Sequence, residues 1–92
     1  MFTLSAKLSF YIADSHSLKY KRQVRRSLIE KTRHKFNVAI AEVDDMDSHK
    51  LLTIGLAVVS GDGKHRESSL DEIIRFMEKT TAAELTAVEI FD

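Results

Sequence analysis

Residues 2–12 read FTLSAKLSFYI, and within them Phe2, Leu4, Ala6, Leu8, Phe10 and Ile12 alternate with Thr3, Ser5, Lys7, Ser9 and Tyr11. Successive side chains of a strand point to opposite faces, so a period of two held this long predicts a strand with one buried face and one wet face. A sheet that begins this way needs a layer to cover its apolar side, and the rest of the chain supplies two candidates.

The first follows at once. Asp14, Ser15 and Ser17 suit a turn, and Ser17 stands just before Leu18 as a helix N-cap. Projected at 100° per residue, Leu18, Val24, Leu28, Ile29 and Phe36 share one arc, which predicts a helix over 18–36 lying on the sheet. Lys19, Arg22, Arg26 and Arg33 fall together on an outward arc, with Lys31 and Lys35 on the opposite flank. Lys21 and Arg25 resist this division: they project onto or beside the apolar arc, where they either snorkel at its edge or face a partner.

Asn37 tolerates the left-handed conformation that often ends a helix, and VAIAEV at 38–43 then reads as a second strand. The polar stretch DDMDSHK at 44–50 connects it to LLTIGLAVVS at 51–60, apolar on both alternating faces as a central strand would be. Turn formers at 60–63 precede a second amphipathic helix, with Leu70, Ile73, Ile74, Phe76 and Met77 on one arc and Asp62, Ser68 and Ser69 as alternative caps. ELTAVEIF at 84–91 closes the chain as a fourth strand.

The order βαββαβ, with right-handed crossovers, builds one α+β domain over residues 1–92. It is a four-stranded antiparallel sheet with both helices on one face, the ferredoxin-like arrangement. A chain of this length buries roughly 60–65% of its unfolded surface, enough for one core. With 43% apolar and 30% charged residues, its composition is that of a folding domain rather than a disordered chain.

The absence of cysteine removes disulfides, thiolate catalysis and Cys-based metal sites, and fits a reducing cytoplasm. The longest apolar run, Ile54 to Val59, is far short of the about 20 residues a bilayer span needs, so no membrane association is expected.

Net charge is zero, but residues 1–35 carry nine Lys/Arg against two Asp/Glu, and residues 36–92 carry five against twelve. The halves are therefore +7 and −7, which points either to an anionic partner for the basic part or to internal pairing.

The segment SLKYKRQVRRSLIEKTRHKFNVAIAEV at 17–43, with IGLAVVS at 54–60 and LDEIIRFMEK at 70–79, resembles the YlxP-like family of small bacterial proteins. The most specific parts are Ser17, Leu18, Lys19, Lys21 and Arg22 at the helix start, and RHKFNVAIAEVD at 33–44. The resemblance implies a ferredoxin-like fold and a bacterial cytoplasmic protein without an established role. It supplies no active site. Genes of the family often lie near those for transcription antitermination and translation initiation, which implies an RNA or ribosome connection by association. Two positions depart from the family pattern: Arg25, where an apolar residue is usual, and His49, where a tryptophan often appears.

No arrangement of residues predicts catalysis. Asp45-x-Asp47-x-His49 lacks the glycine and twelfth-position carboxylate of a calcium loop, and the four histidines are scattered. Gly61-Asp62-Gly63-Lys64 has neither P-loop nor dinucleotide spacing, and Ser60, Asp62 and His65 form no triad. No enzyme activity, metal or cofactor is expected.

What stands out is the one-signed helix face. Lys19, Arg22, Arg26 and Arg33 could track a phosphate backbone, so the expectation is a non-catalytic accessory that binds structured RNA or a ribosomal subunit. Base stacking on the sheet is not expected, since the third strand has no aromatic residue. The alternative is a protein-interaction or homodimerisation module using the open sheet face, where Leu51 or Leu52, with Thr53, Gly55, Ala57 and Val59, forms a second apolar side of the third strand.

Overall fold

The alternation of residues 2–12 becomes β1, Phe2–Tyr11, whose even-numbered side chains from Leu4 to Phe10 are buried. It is followed by α1 (Leu18–Lys35), β2 (Ala39–Asp44), β3 (Leu51–Ser60), α2 (Arg66–Thr80) and β4 (Glu84–Phe91). The computed structural model describes residues 1–62 and 66–91, with the side chains of 66 and 67 left aside.

The sheet order is β2-β3-β1-β4, and all neighbours are antiparallel. β1 and β3 are central, as their length and apolar content predict, and they pair without interruption from Phe2 opposite Ser60 to Tyr11 opposite Leu51. Leu4, Ala6, Leu8 and Phe10 of β1 and Leu52, Ile54, Leu56 and Val58 of β3 meet Leu28 of α1 and Leu70, Ile73 and Met77 of α2 in one core. This is the ferredoxin-like α+β fold.

The two edge strands each slip register once. β4 is irregular opposite Ser9 and Phe10, and β2 between Glu42 and Asp44. At the second bulge Val43 is the extra residue, and it leans over Gly55, where an added Cβ would lie 2.6 Å from Val43 Cγ1. Glu42, opposite Ile54, is left on the helix side of the sheet.

The second helix begins at Arg66, so Ser68 and Ser69 stand inside its first turn rather than at its cap, and Asp62 lies ahead of it. The remainder of that turn, Gly63 to His65, lies outside the described residues.

Candidate nucleic-acid interface

Helix α1 starts where short polar residues predict. Ser17 is extended at φ −160°, and its Oγ accepts a hydrogen bond from the Tyr20 amide at 3.1 Å. Tyr20 also donates its hydroxyl to Asp14 Oδ2 at 2.9 Å, which ties the first turn to the incoming loop. That hydrogen bond, with some desolvation and the Asp14 charge, raises the phenol's pKa above its ordinary value. Arg33, His34 and Lys35 close the helix, where cations complement the carbonyl end of the dipole.

The buried face of α1 corrects the arc projected from sequence. Lys21, Leu28 and Thr32 are the fully buried residues, while Val24, Ile29 and Phe36 are only partly covered. Thr32 is accommodated by donating its hydroxyl to the Leu28 carbonyl at 2.7 Å, within its own helix.

Lys21 is no snorkelling side chain: it is 1% exposed, and its ammonium ends inside the protein. Nζ donates to the Asp45 and Ser48 carbonyls, both at 2.7 Å, and lies 2.8 Å from Glu42 Oε2. Three oxygens thus surround the ammonium. The Glu42 contact is a close ion pair rather than an aligned hydrogen bond, since Oε2 has no hydrogen-bond partner of good geometry.

Arg25, one turn along, donates Nη1 to Glu42 Oε1 at 2.9 Å. Burial alone would push the Glu42 carboxyl up, but contact with Lys21 and Arg25 outweighs it and holds the pKa below the ordinary range. The two cations that sat awkwardly on the apolar arc therefore share one internal anion. Glu42 is the residue the sequence reading missed, although Val38, Ile40 and Glu42 alternate onto one face and would have pointed a carboxylate beneath the helix.

The loop between β2 and β3 is closed around the same ammonium. Asp45 adopts φ 56°, a left-handed conformation that Asp tolerates, and its carbonyl accepts the Ser48 amide at 3.1 Å. Its carboxylate accepts the Thr53 hydroxyl at 2.6 Å, so Thr53 on the open sheet face is covered by this loop.

The four residues expected to bind phosphate do not form a uniform set. Lys19, Arg22 and Arg26 are exposed, and among the described residues no carboxylate pairs with any of them. Arg33 is exposed too, but its Nη2 donates to the Ile40 carbonyl at 3.0 Å and ties the end of α1 to β2. At its far end, through Arg33, the cationic row meets β2. On the other flank, Lys35 is held against aromatic rings, its Nζ 4.9 Å from the Phe76 centroid and 5.7 Å from that of Phe36.

On the open sheet face, Leu51, Val43 and Val59 are exposed, along with Ala39, Ala41 and Ala57. Tyr11 of β1 is exposed on this face, with Lys50 Nζ 5.8 Å from its ring centroid. No helix among the described residues is long and apolar enough to cross a membrane.

Comparison with known proteins agrees with the resemblance in the sequence. The chain is 31% identical over 81 residues to the uncharacterized protein YlxP of Bacillus subtilis (strain 168), covering 88% of each. Among solved structures, a de novo designed protein, Ferredog-Diesel, aligns over 99% of this chain and 85% of its own at 6% identity, with a TM-score of 0.48. The model of DUF503, described as a protein of unknown function, matches residues 3–90, and the chain belongs to that family.

Proposed function

We propose that this protein is a non-catalytic cytoplasmic accessory that binds structured RNA, free or within a ribosomal particle, through Lys19, Arg22 and Arg26. One observation carries the reading. The same helix has two kinds of cation: Lys21 and Arg25 are turned inward and share the one carboxylate of Glu42, whereas the outward row has no carboxylate partner among the described residues.

Ordinary surface cations alternate with acids, which lowers the local potential. Lys19, Arg22 and Arg26, spaced over about two turns with the helix's one carboxylate, Glu30, a turn further on and paired with none of them, instead suit the regular spacing of phosphates, each contact releasing counterions. Arg33 extends the row at its far end, with part of its guanidinium committed to Ile40.

Sedimentation with ribosomal subunits tests this. Reversal of Lys19, Arg22 and Arg26 to Glu should abolish co-sedimentation and leave circular dichroism unchanged, because all three side chains are solvent-exposed. Undiminished sedimentation of the folded triple variant would refute the reading.

A further inference from the structure

A cavity of about 250 Å³ opens between α1 and the turn that carries α2 into β4. Ile12, Leu28 and Ala83, otherwise buried in the core, give it an apolar wall. Gln23, Ser27 and Thr80 also line it, and none of these three side chains hydrogen-bonds to a described residue. Tyr20 borders it with its hydroxyl tied to Asp14 and its ring stacked on His16, the centroids 5.9 Å apart.

Size and lining narrow the occupant. Sites for drug-sized ligands run from roughly 300 to 1,000 Å³, so this one suits a group of one or two rings rather than a whole nucleotide. No lysine or arginine lines it among the described residues, and its one carboxylate, Asp14, repels anions, so a phosphate is not drawn in. An apolar wall with amide and hydroxyl groups beside it matches a flat heterocycle, which buries its faces and hydrogen-bonds along its edge.

The cavity also follows the basic row. Lys19, Arg22 and Arg26 are each succeeded directly by a residue that lines it: Tyr20, Gln23 and Ser27. Successive residues of a helix are turned by about 100°, so the cations and the cavity occupy adjoining strips of α1, each about two turns long. A phosphate backbone held on the first strip can turn a base toward the second.

We propose, resting on the reading that the row binds RNA, that this cavity receives one unpaired base of that RNA. The base packs on Ile12, Leu28 and Ala83, meets Gln23, Ser27 and Thr80 with its edge, and finds an aromatic neighbour in Tyr20. The cations supply affinity without regard to sequence, and the cavity supplies a preference for RNA with an unstacked base beside its helix. Base recognition on this protein then needs no aromatic on the sheet.

Two hairpin RNAs separate base from backbone: one has an adenine loop, and the other is the same hairpin with abasic loop positions, so that the phosphates are equal in number. The wild type should bind the adenine loop at least about tenfold more tightly by fluorescence anisotropy, the size of gain that stacking one base gives. Ser27→Leu places in the cavity an apolar branch that cannot stack. It should bring the two affinities together and leave the salt slope and circular dichroism unchanged, Ser27 being exposed. Lys19→Ala should weaken both hairpins alike. Equal wild-type affinities, or a loop preference that survives Ser27→Leu, would overturn the cavity and leave the row standing. Binding of neither hairpin would overturn the cavity together with the RNA reading.

Discussion

Lys21 Nζ lies 2.8 Å from Glu42 Oε2 beneath α1, and both side chains are more than nine-tenths shielded from solvent. The pair joins the first helix to an edge strand, and the loop carbonyls of Asp45 and Ser48 complete the ammonium's shell. A buried ion pair contributes little net stability against an apolar replacement, yet breaking it strands an uncompensated charge.

Removal of one partner is therefore costly. Lys21→Met should destabilise the domain by about 3–5 kcal/mol in urea unfolding, because Glu42 loses its closest cation and the Asp45 and Ser48 carbonyls lose the ammonium. Lys21→Met combined with Glu42→Leu should recover part of that loss, since the anion goes too and Arg25, partly exposed, can turn to water. Additive losses in the double variant would show that the pair is not coupled.

Stability should respond to acid through the same carboxylate. Glu42 has its pKa lowered in the folded state from the ordinary 4.5, so the folded form binds this proton less tightly than the unfolded chain does. Its contribution is complete above the unfolded value and is lost as pH falls below about 4.5 toward the depressed folded value. Urea midpoints measured from pH 7 to pH 3 should fall more steeply for the wild type than for Glu42→Gln, which has no such group to titrate. Parallel curves would exclude the pair as a source of acid sensitivity.

Gly55 leaves room for Val43. A Cβ at position 55 would sit 2.6 Å from Val43 Cγ1, and a β-branched side chain has little freedom to move aside. Gly55→Ala should cost about 1–2 kcal/mol by overpacking, and adding Val43→Ala should remove most of that cost. The comparison of the single and double variants by thermal unfolding reads it directly.

The proposed RNA contact predicts a defined salt dependence. With Lys19, Arg22 and Arg26 each neutralising one, the logarithm of RNA affinity should fall against the logarithm of salt with a slope of roughly −2 to −3. Each Ala substitution in the row should flatten the slope by about one unit, whereas Arg25→Ala should leave it unchanged because its guanidinium is held inward on Glu42 rather than in the outward row. An Arg25→Ala effect equal to that of Arg22→Ala would contradict the division of the helix into inner and outer cations.

Local patterns carried most of the architecture. The alternation from Phe2 to Ile12, the cap at Ser17 and the doubly apolar run from Leu51 to Ser60 each determine an element through nearest-neighbour geometry. The right-handed crossover then leaves few ways to join them. α1 itself runs from Leu18 to Lys35, one residue short of its sequence-based bound, and β3 and β4 match theirs.

What lay beyond sequence was the direction of charged side chains. Projection could place Lys21 and Arg25 on the apolar arc, but whether a cation snorkels or stays inside depends on an anion arriving from a distant strand. The bulge at Val43 and the turn at Asp45 bring that anion and its two companion carbonyls to one point. Likewise, the composition of β4 is plain in ELTAVEIF, but the exposure of Val88 and Ile90 goes with the packing of α2 on β1 and β3. The sequence by itself determined the elements and their order, because periodicity and capping are local. Only the tertiary structure decided which charges are consumed internally and which edge is left uncovered, because burial and ion pairing depend on residues far apart in the chain.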